Sequence, residues 1–371
     1  MRVKPVLQGV ALAAAAVTTL GGAATALAAP IAPTAKPAVT SLVPLSQVGL
    51  GWSIAEYTTG YNKHPAKTTL YAVSPQGKKY AFYTWPAKFS GPNAFTVVDW
   101  SGDKQRVLVR NFFNKFEQIS LATGKVINTF KLPASAFPIG YTRPDGQNIL
   151  AQNNSSVVRY DLNGHLTKVL SKNAFAAIDS PNGTSVFLNG KNGLVEISNL
   201  GTVIKQLNTP IAELGCSPVR WWNASTVLGE CDAKHGASAL RLWLFPVTGG
   251  KVTALTAQRG NKGPDLGDID AFKLTSGVFL QALGPCGVEF IATQSADGKA
   301  HQVNLPGVHY ASDSIVTGQG SSLLVQADSG CTAGAALLWF NPHTKKVTWV
   351  LHPTGKSDGV ESVIPFGRPV S

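Results

Sequence analysis

The chain has 371 residues, of which 44% are hydrophobic and only 14% charged, with 37 Gly, 23 Pro and a net charge of +12. So apolar a composition excludes wholesale disorder, and so much Gly and Pro excludes a helical bundle while falling short of collagen. The length suits two average domains or one large all-β domain, and the single Met, at position 1, excludes a Met-lined groove.

Residues 1–28 follow the three-part secretory pattern: Arg2 and Lys4, an apolar run from Val10 to Leu20, then Ala26-Leu27-Ala28 before a cleavage point. The apolar run is interrupted by Thr18, Thr19, Gly21 and Gly22 and is too short to span a bilayer, so a cleaved signal peptide is expected. Its removal takes away two basic residues and no acid, leaving a net charge of +10 on a secreted, extracytoplasmic protein. Such a charge favours anionic surroundings, cell-wall polymers or lipid headgroups; no basic helix or recognition motif points to nucleic acid. Residues 29–45, which include A-P-I-A-P-T-A-K-P, read as a Pro-rich tether, and 46–371 as the folded domain.

A tight-turn pattern then recurs: S-P-Q-G-K at 74–78, L-A-T-G-K at 121–125, D-L-N-G-H at 161–165, S-N-L-G-T at 198–202, V-T-G-G-K at 247–251 and S-A-D-G-K at 295–299. A degenerate seventh copy, N-P-H-T-K-K, occupies 341–346. The turn glycines are spaced 47, 40, 37, 49 and 48 residues apart, a period of propeller blades. Between these lies a second turn family, S-G-D-K at 101–104, R-P-D-G-Q at 143–147, S-P-N-G-T at 180–184 and G-Q-G-S at 318–321, each followed by a short apolar run. Every unit therefore reads strand, tight turn, strand, longer loop, strand, tight turn, strand. The expectation is an all-β, seven-bladed β-propeller of four-stranded blades. Blade 1 holds Trp52–Tyr57, Thr68–Val73 and Tyr80–Trp85 and lacks an inner strand, which the C-terminal run Glu361–Phe366 is expected to supply. Blades 2 to 7 fall at about 94–132, 135–170, 174–207, 213–256, 266–305 and 309–352.

The T-R-P-D-G-Q at 142–147 and D-S-P-N-G-T at 179–184 resemble the S-P-D-G-K turn between the first two strands of TolB-like and WD-repeat-like propellers of bacteria. The resemblance covers the whole chain as architecture and implies protein partners; as a motif it rests on these turns. Propellers host binders and enzymes alike, so the fold does not select between them.

Four Cys in an exported chain suggest two disulfides. Cys216 opens the first strand of blade 5 and Cys231 ends its second, which places them side by side. Cys286 and Cys331 end equivalent strands of blades 6 and 7. The pairings expected are Cys216–Cys231 and Cys286–Cys331.

No nucleophile elbow, zincin helix, phosphate loop or dinucleotide fingerprint occurs, and the seven His show no metal-ligand spacing, so no catalytic residue is assigned. In a propeller the loops between second and third strands and between blades share one face, and the tight turns share the other. On the loop face blades 5 to 7 gather acids, among them Asp265, Asp268, Asp270 and Asp313. Asp268 and Asp270 alternate, which on a regular strand aims them the same way. With His309 and Tyr310 these form the candidate ligand site, and their oxygens suit a hard cation such as Ca²⁺. The same carboxylates could serve a carbohydrate-active hydrolase or lyase. The opposite face carries Lys78, Lys79, Lys104, Lys125, Arg143, Lys251, Lys299, Lys345 and Lys346, a basic ring. The reading favoured is a non-catalytic binding module of the cell envelope or extracellular space. It would engage an envelope protein or an anionic cell-wall polymer through its loop face, with no membrane span and no required cofactor; the alternative is the acidic-funnel enzyme.

Overall fold

The computed structural model describes residues 41–60, 67–85, 95–210, 213–233, 240–258, 266–328, 334–354 and 358–367. The expected signal peptide and most of the tether lie outside these residues. Seven four-stranded antiparallel sheets form the ring, as the turn spacing predicts. Their inner strands, in ring order, are Gly359–Pro365, Phe95–Trp100, Ala136–Tyr141, Ala177–Asp179, Glu213–Asn223, Asp268–Leu274 and Ser312–Gln319. Blade 1 takes its inner strand from the C-terminus: Gly359–Pro365 pairs antiparallel with Ser53–Thr59, Ile54 opposite Ile364 and Ala55 opposite Val363. The ring is closed by the strand the sequence assigned to that place.

The second strands explain how the blades stack. They read as unbroken apolar runs, V-L-V at 107–109, I-L-A at 149–151, V-F-L at 186–188 and L-L-V at 323–325. A strand with one wet face would alternate polar and apolar residues; these do not, because both faces of each blade are covered. Alternate side chains then serve alternate seams. Val107 and Val109 pack toward blade 1 while Leu108 packs toward blade 3. Leu323 and Val325 join the seam with blade 6, and Leu324 the seam with blade 1. The buried apolar residues accordingly form seven clusters, one at each seam of the ring. The last described part of the tether belongs to this core: Val43 is fully buried in the blade 1–2 seam, and the Leu42 amide donates to the Ala122 carbonyl at 3.0 Å.

Six of the seven inner strands carry a register shift, at residues 98, 139, 219, 269, 316 and 361. Bulges twist a strand and re-aim its side chains, here around the narrow axis of the ring. In blade 5 the sheet is also locked covalently: Cys216 stands opposite Cys231 in register and the two form a disulfide. Cys286 is an exposed free thiol, and Cys331, its expected partner, lies outside the described residues.

Polar side chains stitch the seams where a bulge would leave backbone groups unpaired. Gln281, on the second strand of blade 6, accepts from the Ile315 amide and donates to the Asp313 carbonyl at 3.0 Å, both on the inner strand of blade 7. Glu56 has the corresponding place on blade 1. It takes a hydrogen bond from Ser362 of the closing strand at 2.9 Å and one from the Val97 amide of blade 2. Glu56 is 1% exposed, and burial raises its carboxyl from the ordinary 4.5 to about 8, with Glu361 adding to the shift and the two hydrogen bonds opposing it. A group whose folded pKa is raised contributes stability in full below about 4.5 and loses it as pH rises through about 8. Glu56→Gln copies the amide that blade 6 already uses. Thermal unfolding followed from pH 5 to 9 should show the wild type losing stability toward the alkaline end, and Glu56→Gln with a flatter profile and a higher Tm at the top of the range.

Candidate functional site

The candidate residues of the loop face fall into two groups. Asp268 is fully buried at the start of the blade 6 inner strand, while the Asp270 side chain is 26% exposed and pairs with Arg220 of blade 5, Nε to Oδ1, at 2.9 Å. The register shift between them breaks the alternation that would have aimed both one way. Asp313 lies on the neighbouring inner strand, where burial raises its carboxyl to about 6. Gln281 stands opposite Asp270 and binds the Asp313 carbonyl, so these two acids share one seam. His309 is exposed, and Tyr310 is half-buried against the blade 6–7 core. Asp265 lies outside the described residues. Among the described residues no three His, Cys, Asp or Glu side chains gather as a metal centre.

Beside this seam, Glu230 on the second strand of blade 5 is pushed up to about 7, chiefly by burial and further by Asp232 and Asp270. Glu361 is raised by burial as well, and Asp328 and Asp358 lie on the same side. This sector is thus acidic over blades 5, 6, 7 and 1, and Arg220 answers only Asp270 directly.

The other half of the loop face has the opposite character. The turn between the second and third strands of blade 2 reads Asn111-Phe112-Phe113-Asn114, with the two rings 80% and 61% exposed. It is not a loose turn. The Asn111 carboxamide accepts from the Phe113 and Lys115 amides at 3.0 and 2.9 Å. Asn114, in the left-handed region at φ 53°, is itself nearly buried and donates to the carbonyls of Pro133, Ala134 and Ala136. These bonds tie the turn to the blade 2–3 connection. Phe137, 57% exposed, begins the next inner strand under the Arg110 guanidinium, 5.6 Å from its ring centre. One seam further on, Phe175 is 62% exposed, its amide held by the Asn189 side chain at 2.6 Å. Around these rings stand Arg110, Lys115, Lys131, Lys172 and Lys191. Among the described residues the loop-side ends of blades 2 to 4 carry no exposed acid.

The tight-turn face differs from the expected uniform ring of bases. Lys78, Lys79, Lys125, Lys251, Lys299, Lys345 and Lys346 are exposed, Lys299 beside Asp297 at 2.9 Å, and Lys104 is half-buried. Arg143 instead turns inward. Its Nη2 binds both oxygens of Asp99 at 3.1 Å and its Nη1 the Trp100 carbonyl at 3.1 Å, while its own amide donates to Asp179. The Tyr141 amide completes the Asp99 site at 2.8 Å. That approach needs Gly140, since a Cβ there would stand 2.5 Å from an Asp99 oxygen. Asp179, raised to about 6 by burial despite Arg159 and Arg143, also offers its carbonyl to the Trp221 indole. These groups, with Ile139, Ile178 and Trp221, line a cavity of about 200 Å³ at the tight-turn end of the central channel. Both carboxylates there have their own guanidinium, Asp99 with Arg143 and Asp179 with Arg159 at 3.4 Å, and Arg220 of the lining reaches Asp270.

The exposed phenylalanines were legible as an anomaly. A turn between strands is ordinarily polar, and N-F-F-N is not. The inward Arg143 had no such signal, because its turn reads like any other solvated hairpin.

No protein-family model matches the sequence, and no curated protein does. Among solved structures the chain is similar to two prolyl endopeptidases described for the role of inter-domain dynamics in catalysis and specificity. That likeness has 13% identity and a TM-score of 0.53, over 81% of this chain and 50% of the other. The chain thus spans about half the length of those enzymes. It is also similar to the β-propeller domain of the trilobed protease from Pyrococcus furiosus, at 11% identity and a TM-score of 0.53, over 83% and 97% of the two chains. That domain has an open velcro topology, whereas here Gly359–Pro365 closes the ring. BamB from Moraxella catarrhalis aligns at 12% identity and a TM-score of 0.45, over 77% and 90%. At these identities the likeness is one of fold.

Arg143→Ala would leave the Asp99 carboxylate, 2% exposed, without its cation. Unfolding in denaturant should show a loss on the order of 3 kcal/mol, the range for breaking a buried pair. Lys251→Ala, an exposed member of the same face, should change stability by no more than about 0.5 kcal/mol.

Proposed function

We propose that this chain is an exported, non-catalytic binding propeller that attaches to the cell envelope through the blade 2–4 sector of its loop face. The observation that carries the reading is the set of four phenylalanines, each more than half exposed: Phe112 and Phe113 on a turn held by Asn111 and the buried Asn114, Phe175 held by Asn189, and Phe137 at the start of an inner strand. Apolar surface presented in this way is the mark of a contact site. The paired state of Asp99, Asp179 and Asp270 supports binding over catalysis, because each of these three is committed to an arginine that holds the blades. Export is supported by the N-terminal pattern of residues 1–28 and by the Cys216–Cys231 disulfide, which suits an oxidising compartment.

The full chain, expressed in a bacterial host and fractionated, should appear outside the cytoplasm with residues 1–28 removed, as mass spectrometry would read, and should stay on washed envelopes. Phe112→Ser/Phe113→Ser should release it into the wash while leaving its Tm unchanged. Retention of the uncleaved chain in the cytoplasm, or equal release of wild type and variant, would overturn the proposal.

A further inference from the structure

Resting on the reading that the blade 2–4 loop face is the attachment surface, we infer that its partner is an anionic lipid bilayer, into whose interface the phenylalanines insert.

Three observations bear on the choice. The first is charge. Arg110, Lys115, Lys131, Lys172 and Lys191 ring the exposed phenylalanines, and the described residues of this sector hold no exposed acid to balance them. Lys131, Lys172 and Lys191 are exposed; Lys115 keeps one contact to Glu117 at 2.9 Å. Cations near a negatively charged leaflet are attracted by its surface potential, and aromatic or aliphatic side chains then enter the boundary between headgroups and acyl chains.

The second observation is shape. Phe112 and Phe113 stand edge to face at 5.6 Å on a turn tip, and Phe137 and Phe175 sit on the two following blades. The rings thus project from the loop face. The cavity lined by Asp99, Arg143, Asp179 and Trp221 lies at the other end of the channel, and a second recess, in the blade 3–4 seam with Asn173 and Asn189 in its lining, lies beside Phe175. Projecting rings suit a fluid surface that closes around each of them.

The third is the rest of the same face. Blades 5 to 7 and blade 1 present the exposed Asp232, Asp328 and Glu361 and the half-buried Asp358, with the exposed Lys67 of blade 1 beside them, so acids predominate and an anionic leaflet repels this half. Attraction on one half and repulsion on the other tilt the ring onto blades 2 to 4. On the loop face the exposed large apolar side chains of blades 2 to 4 are the four phenylalanines, against Leu214 and Val288 on blades 5 and 6.

The test is co-sedimentation of the protein, lacking residues 1–28, with vesicles of phosphatidylcholine containing phosphatidylglycerol, against phosphatidylcholine alone. Binding is expected only with phosphatidylglycerol present and should weaken as salt is raised. Phe112→Ser/Phe113→Ser should reduce it at least tenfold. Lys131→Glu should reduce it by more than the roughly fivefold expected for loss of one cation near the surface. Leu200→Ser, which removes a 75% exposed apolar side chain from a tight turn on the other face, should leave binding unchanged. The tryptophan spectrum and Tm of each variant establish that it is folded.

Absence of binding to phosphatidylglycerol vesicles would overturn the inference. So would binding that Lys131→Glu abolishes but the phenylalanine variant does not touch, since that is the behaviour of a polyanion such as a wall polymer. If vesicles fail while envelopes still retain the wild type and release the phenylalanine variant, the attachment reading stands and its partner is a protein.

Discussion

Everything in this molecule depends on the fact that each blade buries both of its faces. A four-stranded sheet with two apolar faces cannot stand alone in water, and a stack of them leaves two bare ends. Bending the stack into a ring removes the ends, provided that the first and last blades meet. Here they meet inside blade 1, where Gly359–Pro365 pairs with Ser53–Thr59. That strand and the Phe366 after it thereby complete two apolar clusters at once, Ile364 and Phe366 against blade 2 and Val360 and Val363 against blade 7. The seams, more than the sheets, hold the ring together.

The same constraint shapes the channel. Seven inner strands converging on one axis have too little room for regular pleating, and bulges in six of them relieve it. Bulges free backbone groups and turn side chains, and the seams absorb both by drawing in polar residues. Gln281, Glu56, Asp99 and Asp179 each accept a backbone amide from a neighbouring blade. Buried carboxylates near the axis are therefore a consequence of closing the ring, and three guanidinium groups offset their charge. What remains for function is the surface, where two faces and two halves of one face carry different chemistry.

The sequence made the architecture legible because a propeller repeats. Turn glycines at a period of 37 to 49 residues, doubled by the second family of turns, place every blade, and the shortage of one strand at the N-terminus pointed to the C-terminus for closure. Cys216 and Cys231 could be paired for the same reason, since their register follows from the turn between their strands. The site was legible only where it followed the repeat. Asp268 and Asp270 were read as alternating neighbours, but a bulge lies between them, and a bulge leaves no mark in the residue pattern. Arg143 was placed by its turn among solvated lysines, whereas Asp99, forty-four positions away, draws it inward. Phe137 and Phe175 gave no signal of their own: Phe137 is the second residue of an inner strand and Phe175 lies in a bend two residues before one, where the chain rises out of the seam at the loop face.

Burial of acids in seams also fixes how the ring responds to pH. Glu56, Glu230, Asp179 and Asp313 are raised to about 8, 7, 6 and 6, each chiefly by loss of water. They belong to different contacts: Glu56 to blades 1 and 2, Glu230 to blades 5 and 6, Asp313 to blades 6 and 7, and Asp179 to the meeting of blades 3, 4 and 5. In mild acid the folded chain holds protons that the unfolded chain has released, so folding is favoured there, and the benefit is lost as pH climbs through each raised value in turn. The charges then appear between sheets, not within them. Glu56, raised by burial at the seam next to the closing strand, is held there by the Ser362 hydroxyl of that strand.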